Sequence, residues 1–287
     1  GCSKFKAFPR AWNDDDANTL IKLCKGLASD VNEDVIRKFS YTVSGKICPN
    51  DSIIGSITAQ EAMKACSGKY TPIDQWMYVD HLTAFPKIEL PYKGTLGENF
   101  TPNGSRYDGQ IVVFGRELTE RLNKGKIFVV GSGAIGCEHI KNFSMMGVGN
   151  IVTTDMDHIE KSNLNRQFLF RPEDIGNPKS VTAAKKGLLM NPSISIEAHE
   201  YKVGNETLNI YNREFFESLT CVANALDNIP ARQFVDSLCV KYQKFLLESG
   251  TLGTKCNVQV VVPKGSESYG SSEDPDDGEI PVCTLKL

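Results

Sequence analysis

The sequence predicts an α/β protein: a Rossmann-like, mostly parallel sheet with helices on both faces, preceded by a mainly helical N-terminal part-domain. Three observations predict it. Short apolar strands alternate with helical stretches from residue 126 to residue 263, the pattern of parallel strands buried on both faces. The first strand, KIFVV, runs into Gly131, Gly133 and Gly136, spaced G-x-G-x-x-G at the head of a helix. The second strand, NIVTTD, ends on Asp155, 19 residues beyond Gly136, where such folds keep an acid for a ribose hydroxyl.

The elements follow in order. NDDDANTLIKLCKGL sets acidic capping residues before a stripe of Leu20, Ile21, Leu23, Cys24 and Leu27, which predicts a helix. NEDVIRKFSYTVSG repeats the scheme. IGSITAQEAMKACSG is a third helix, with Gly68 as its C-cap. QWMYVD at 75–80 is predicted as a strand. Residues 85–110 are rich in Pro, Gly and Asn and read as a linker. The expected domains are 1–105, 106–263, and a mobile acidic loop with the start of a further domain at 264–287. After β-forming KIFVV come the helix AIGCEHIKNFSMMG, the strand NIVTTD, the helix NPKSVTAAKKGLLM and the strand SISIEAHE. YNREFFESL is helical, TCVANALD a strand and IPARQFVDSLCVKYQ a helix. KFLLESG and KCNVQVVVP complete the sheet.

Composition narrows the function classes. At about 150 residues per domain, 287 residues suggest two domains. A net charge of -3 argues against a broad nucleic-acid surface. No apolar run approaches the ~20 residues of a membrane span. GCSKFKAFPR lacks a signal-peptide core, and Phe5 stands where a myristoylation site needs Ser or Thr. The 9 cysteines form no CxxC pair, which argues against a zinc site and fits a reducing compartment. The first residue is not Met and CTLKL stops inside an apolar pattern, so a piece of a longer chain is expected.

The glycines permit two readings: a ligand-free strand–helix turn, or a phosphate cradle in which the helix N-terminus supplies free N–H groups and partial positive charge. Asp155 favours the second. The following stretch, DMDHIEKSNLNRQFLFRPEDIGNPKS, favours ATP over NAD, because it gathers Asp157, Asn163, Arg166, Gln167 and Lys179. A triphosphate needs cationic donors and a carboxylate-held metal, whereas a dinucleotide needs little beyond the helix terminus. A solvated polar segment is the plainer alternative. In NALDNIPAR, Asp227 is either a magnesium ligand or the N-cap of the next helix.

These motifs together resemble the ubiquitin-activating enzymes. The matches are RYDGQ, VVGSGAIGCE, IEKSNLNRQFLFRP, NALDN, LLESGTLGTK and IPVCTL, in that order. AQEAMKACSGKY and PIDQWMYVD resemble the end of the inactive adenylation half of the same enzymes. The resemblance implies the adenylyltransferase fold of the molybdopterin and thiamine pathways. It implies ATP and Mg²⁺ as cofactors, and ubiquitin, ubiquitin-conjugating enzymes and the missing half of the same polypeptide as partners, in cytoplasm and nucleus. Asp155 would bind the ribose, Asn163, Arg166 and Lys179 the phosphates, with Gln167 among the nucleotide-binding residues, and Asp227 with Asp157 the magnesium. Ala134 and Val203 would line the pocket, and Cys283 in IPVCTL would form the thioester. Single-module relatives carry a second arginine where this chain has Gly109. An enzyme for another ubiquitin-like protein and an NAD-dependent oxidoreductase are the competing expectations.

Overall fold

In the computed structural model, which describes residues 8–79, 96–252 and 255–271, the chain forms two compact units, Gly1–Arg121 and Leu122–Leu287. The first is helical. α1 (Asp14–Lys25) opens on Asn13, whose side chain accepts the Asp16 N–H, and its three first-turn aspartates complement the helix dipole. α2 (Glu33–Thr42) is capped in the same way by Asn32. Trp12 anchors the unit. Its ring stacks on Tyr41 at 5.1 Å and lies tilted against Phe100 at 4.3 Å, and its indole N–H donates to the Val112 carbonyl at 2.8 Å. α3 (Cys48–Ser67) begins at a proline-containing first turn and ends at Gly68 in the left-handed conformation, φ 64°.

Two expectations for this unit are corrected. Residues 75–79 form no strand, and Trp76 and Tyr78 are exposed. An isolated extended segment has no neighbour to take its backbone hydrogen bonds, and among the described residues none pairs with it. The expected linker also contains structure: α4 (Leu96–Asn99) and the start of α5 (Asp108–Lys124). α5 kinks at Gly115, φ 82°, where a Cβ would meet the Asn99 amide at 2.6 Å. That amide accepts the Arg116 and Glu117 N–H groups and so recaps the second half of the helix. Residues 80–95 lie outside the described residues.

The second unit contains the six strands at their expected places: β1 (Lys126–Val130), β2 (Asn150–Thr154), β3 (Ser195–His199), β4 (Cys221–Asn224), β5 (Phe245–Leu252) and β6 (Lys255–Val261). Their order is β3-β2-β1-β4-β5-β6, parallel except for β6 against β5. α6 (Ala134–Met146), α7 (Lys179–Met190), α8 (Arg213–Glu217) and α9 (Ile229–Tyr242) cover both faces. The pleat makes this visible along β1. Phe128 and Val130 join Val152, Tyr211, Phe216, Val235 and Leu246 in one core cluster. Ile127 and Val129 join Cys137, Ile140, Ile151, Phe170 and Ala183 in the other.

The expectation of a mobile loop from residue 264 is corrected for residues 264–271. Tyr269 is buried in the core. Asp236 of α9, itself buried, accepts the backbone N–H groups of Tyr269 at 3.1 Å and Gly270 at 3.0 Å. One aromatic anchor and one carboxylate fix a segment whose composition is otherwise polar. The rest of that expected loop, and Cys283, lie outside the described residues.

Candidate nucleotide-binding crevice

β1 is the point from which the sheet is wound in both directions: β2 and β3 lie on one side, β4 and β5 on the other. Val130 pairs with Asn224, so the carboxyl ends of β1 and β4 meet there. Such a switch point opens a crevice above the strand ends.

The three glycines do different work. Gly131 adopts φ 99°, and a Cβ there would meet the Ala225 carbonyl oxygen at 2.6 Å. A Cβ on Gly136 would overlap the Gly131 carbonyl, so this glycine lets α6 press onto the strand end. Gly133 is unlike both. Its φ is -74°, and the nearest atom to an added Cβ is the Gln167 amide nitrogen at 3.8 Å. Among the described residues no atom comes closer than that to an added Cβ, so the space beside the α6 N-terminus is open there. Gly133 is also the N-cap of α6 and supplies no side-chain cap, so the first-turn N–H groups are left for another acceptor.

Asp155 stands at the end of β2 and braces the glycine loop. Its Oδ2 accepts the Ser132 N–H at 2.7 Å and its Oδ1 accepts the Asp157 N–H at 2.9 Å. Burial pushes its carboxyl above the ordinary range, against the lowering effect of those two bonds. Each oxygen keeps a further lone pair for a hydroxyl donor. Lys179 opens α7 and is buried, yet its ammonium reaches the exposed Asp157 carboxylate at 2.8 Å. The Lys179 N–H also donates to the Asp157 carbonyl at 2.9 Å. Thus the structure pairs two of the expected site residues with each other.

Between them runs the 160–167 turn. Asn163 is buried and accepts the Glu160 N–H at 2.9 Å, which makes it a brace of the turn. Arg166 is exposed and tied only through one guanidinium nitrogen, to the Ser162 carbonyl and the Asn165 amide, both at 3.2 Å. Gln167 is buried, and its Oε1 is enclosed without a hydrogen-bond partner. A buried orphan acceptor is costly unless a ligand or water donates to it. Ala134 begins α6, and Val203 packs in the core cluster that includes Val130.

Asp227 lies three residues past β4, exposed. The N-cap alternative is excluded: the cap of α9 is Asn228, whose side chain accepts the Ala231 N–H at 2.9 Å. The carboxylate one residue earlier is not spent on the cap. Sequence reasoning missed a partly buried polar set around the same loop. Arg232 donates through Nε and a terminal nitrogen to the Leu226 carbonyl at 3.0 and 2.8 Å. Glu248, buried in β5, stands 3.5 Å from Arg232 and accepts from the Asn224 amide at 2.6 Å. The available signal was a charge inside an apolar strand, KFLLESG.

Other expectations meet the structure as follows. Burial pushes the Cys137 thiol up to about 12 and Cys221 to about 11, which suits packing rather than nucleophilic roles. At Gly109, a Cβ would meet Lys46 Cβ at 2.8 Å, so the chain cannot carry an arginine there without moving the backbone of residue 46. No helix among the described residues is long and apolar enough to cross a membrane.

The sheet order, the glycine loop and the open helix terminus define a doubly wound α/β module with a phosphate-type cradle. The chain belongs to the ThiF family, whose model matches residues 107–286. It is 49% identical to ubiquitin-like modifier-activating enzyme 1 of Rattus norvegicus over 299 aligned positions, and 52% identical to that of Dictyostelium discoideum over 293. Those alignments cover 99% and 98% of this chain but 28% of each relative, so the chain spans roughly a quarter of their length. Among solved structures, Escherichia coli MccB with MccA-N7isoASN matches with a TM-score of 0.55 and 22% identity, covering 61% of this chain and 53% of MccB. At that identity the likeness is one of fold.

Proposed function

We propose that this chain is the ATP-binding part of a ubiquitin-activating enzyme. The ubiquitin C-terminal carboxylate attacks the α-phosphate of ATP, forming an acyl adenylate and releasing pyrophosphate. A cysteine thiolate then attacks the acyl carbon, giving a thioester and releasing AMP, and the thioester passes to a ubiquitin-conjugating enzyme. The observation that carries this reading is the uncapped α6 terminus beside Gly133, whose missing Cβ leaves room for a phosphate. The relatives named above, at about half identity over nearly the whole chain, support a ubiquitin-like modifier, and we take ubiquitin as that modifier.

In this reading the α6 N–H groups donate to the phosphate oxygens, and the backbone at Gly133 and Ala134 lies against them. Asp155 takes the ribose hydroxyls. Lys179 and Arg166 address the distal phosphates, Arg166 by swinging from its two weak tethers, with Asn163 holding the turn that presents it and Gln167 donating from beside Gly133. Val203 bounds the pocket for the base. Fixed donors of this kind stabilise charge that spreads over phosphate oxygens during adenylation. Asp227 and Asp157 suit Mg²⁺, which takes one or two protein carboxylates and fills its remaining sites with phosphate oxygens and water. Bound there, the metal neutralises the triphosphate. Cys283 is the thioester nucleophile, and residues 1–105 end the inactive adenylation half. The setting is the reducing cytoplasm and nucleus.

The test is ATP–pyrophosphate exchange in the full-length enzyme with ubiquitin, before and after Cys283→Ala. Exchange should persist and the thiol-sensitive ubiquitin adduct should vanish. An adduct that survives the substitution moves the nucleophile to another cysteine. Exchange that ignores ubiquitin removes ubiquitin as the substrate.

A further inference from the structure

We infer that Arg232 is a positioning residue for Asp227, clamping the loop that carries it, and that the ESG segment of β5 exists to hold that clamp. The inference rests on the proposed role of Asp227 at the magnesium ion.

The geometry is specific. The loop from Ala225 to Asn228 joins β4 to α9 and presents Asp227 to the crevice. An exposed carboxylate in a short loop is a poor ligand unless the backbone under it is fixed. Arg232, one turn into α9, reaches back and spends two donors on a single acceptor, the Leu226 carbonyl, adjacent to Asp227. The guanidinium is held in turn from β5. Glu248 places Oε1 3.5 Å from Arg232 Nε, and its other oxygen takes the Asn224 amide at the end of β4. Ser249 donates its hydroxyl to the Asn224 carbonyl at 2.9 Å. Gly250 supplies the room: a Cβ there would sit 2.7 and 2.8 Å from the two terminal guanidinium nitrogens.

Each residue of Glu248-Ser249-Gly250 thus bears on Arg232 or on the β4 end. A pair of a half-buried arginine and a buried glutamate carries a desolvation cost and is a weak source of stability. Its retention directly beneath a ligand loop fits a role in fixing that loop.

The measurement is calorimetric binding of ATP across a Mg²⁺ titration, with AMP binding without metal as control, on the whole chain. Gly250→Ala displaces the guanidinium without removing its charge, and Arg232→Lys keeps the charge but replaces the two-donor clamp. Both should raise the Mg²⁺ concentration for half-maximal ATP binding by about tenfold, the usual effect of losing a residue behind a ligand. AMP affinity should stay within twofold of the parent. Arg232→Ala should exceed both, and its thermal unfolding reports whether it folds. Equal losses for ATP and AMP, or an unchanged Mg²⁺ midpoint in Gly250→Ala, overturn the inference. Asp227→Ala separates the two levels. If it leaves the Mg²⁺ midpoint unmoved, the metal role of Asp227 falls and this inference with it. If it moves the midpoint while the Arg232 and Gly250 variants do not, only the clamp is wrong.

Discussion

Lys179 and Asp155 flank the crevice with opposite expected signatures. Lys179 is buried along its stem and ends on the exposed Asp157 carboxylate, and in the proposed reading a triphosphate draws its ammonium toward the distal phosphates. Lys179→Ala should therefore weaken ATP by about 10- to 100-fold, the worth of one charge-assisted hydrogen bond, and AMP far less. Asp155→Asn should weaken ATP and AMP alike, because the ribose is common to both. Titrating both nucleotides against both variants checks the assignment; equal losses at Lys179 would take it off the phosphates. His139 gives a different prediction. It lies on α6, stacked on Phe143, with Nε2 3.5 Å from Ser249 Oγ. Burial lowers its pKa below the ordinary value of about 6.5. Below that pH the unfolded chain takes up a proton here that the folded chain refuses, so stability is complete above about pH 6.5 and falls as the pH drops toward the folded value. His139→Leu should flatten that part of the profile, read as Tm against pH.

At the scale of elements, Gly133 and Gly136 make a matched pair. Gly136→Ala forces a Cβ into the Gly131 carbonyl and should cost about 1–3 kcal/mol in chemical denaturation, as overpacking does. Gly133→Ala meets nothing closer than 3.8 Å among the described residues, so it should cost far less stability than Gly136→Ala and lose nucleotide affinity. Tyr269→Ala should cost about 3–5 kcal/mol, the usual loss for a buried aromatic, because that ring docks the segment after β6. A loss under 1 kcal/mol would mean the segment is not held by its ring. This anchor also shows where the sequence was hard to read. Six strands were legible because apolar runs and glycine breaks mark them. Tyr269 was not, because one aromatic in KGSESYGSSEDPDDGE has no periodic partner, and its fixed point, Asp236, lies 33 residues away. α5 was missed because Gly109 and Gly115 interrupt it and the recapping amide, Asn99, belongs to another element. Arg232 and Glu248 were in plain view within NALDNIPAR and LLESG, but an ion pair joining a helix to a strand is invisible until the sheet order is known.

On the scale of the whole molecule, the sheet order places the β1 and β4 carboxyl ends side by side and so decides where a ligand sits. It does not decide which ligand, since the same topology serves NAD and ATP. In the proposed reading the discrimination comes from the 155–179 stretch, with Arg166 and Lys179 as the phosphate cations and Asp157 as a metal carboxylate. The central claim, an ATP site, is tested most directly by calorimetric titration of the chain with MgATP and, separately, with NAD. The account predicts saturable MgATP binding that NAD does not match. It further predicts about 2.7 kcal/mol of added stability at a hundredfold excess of MgATP over its Kd. NAD binding as tight as that of MgATP, or tighter, would contradict it.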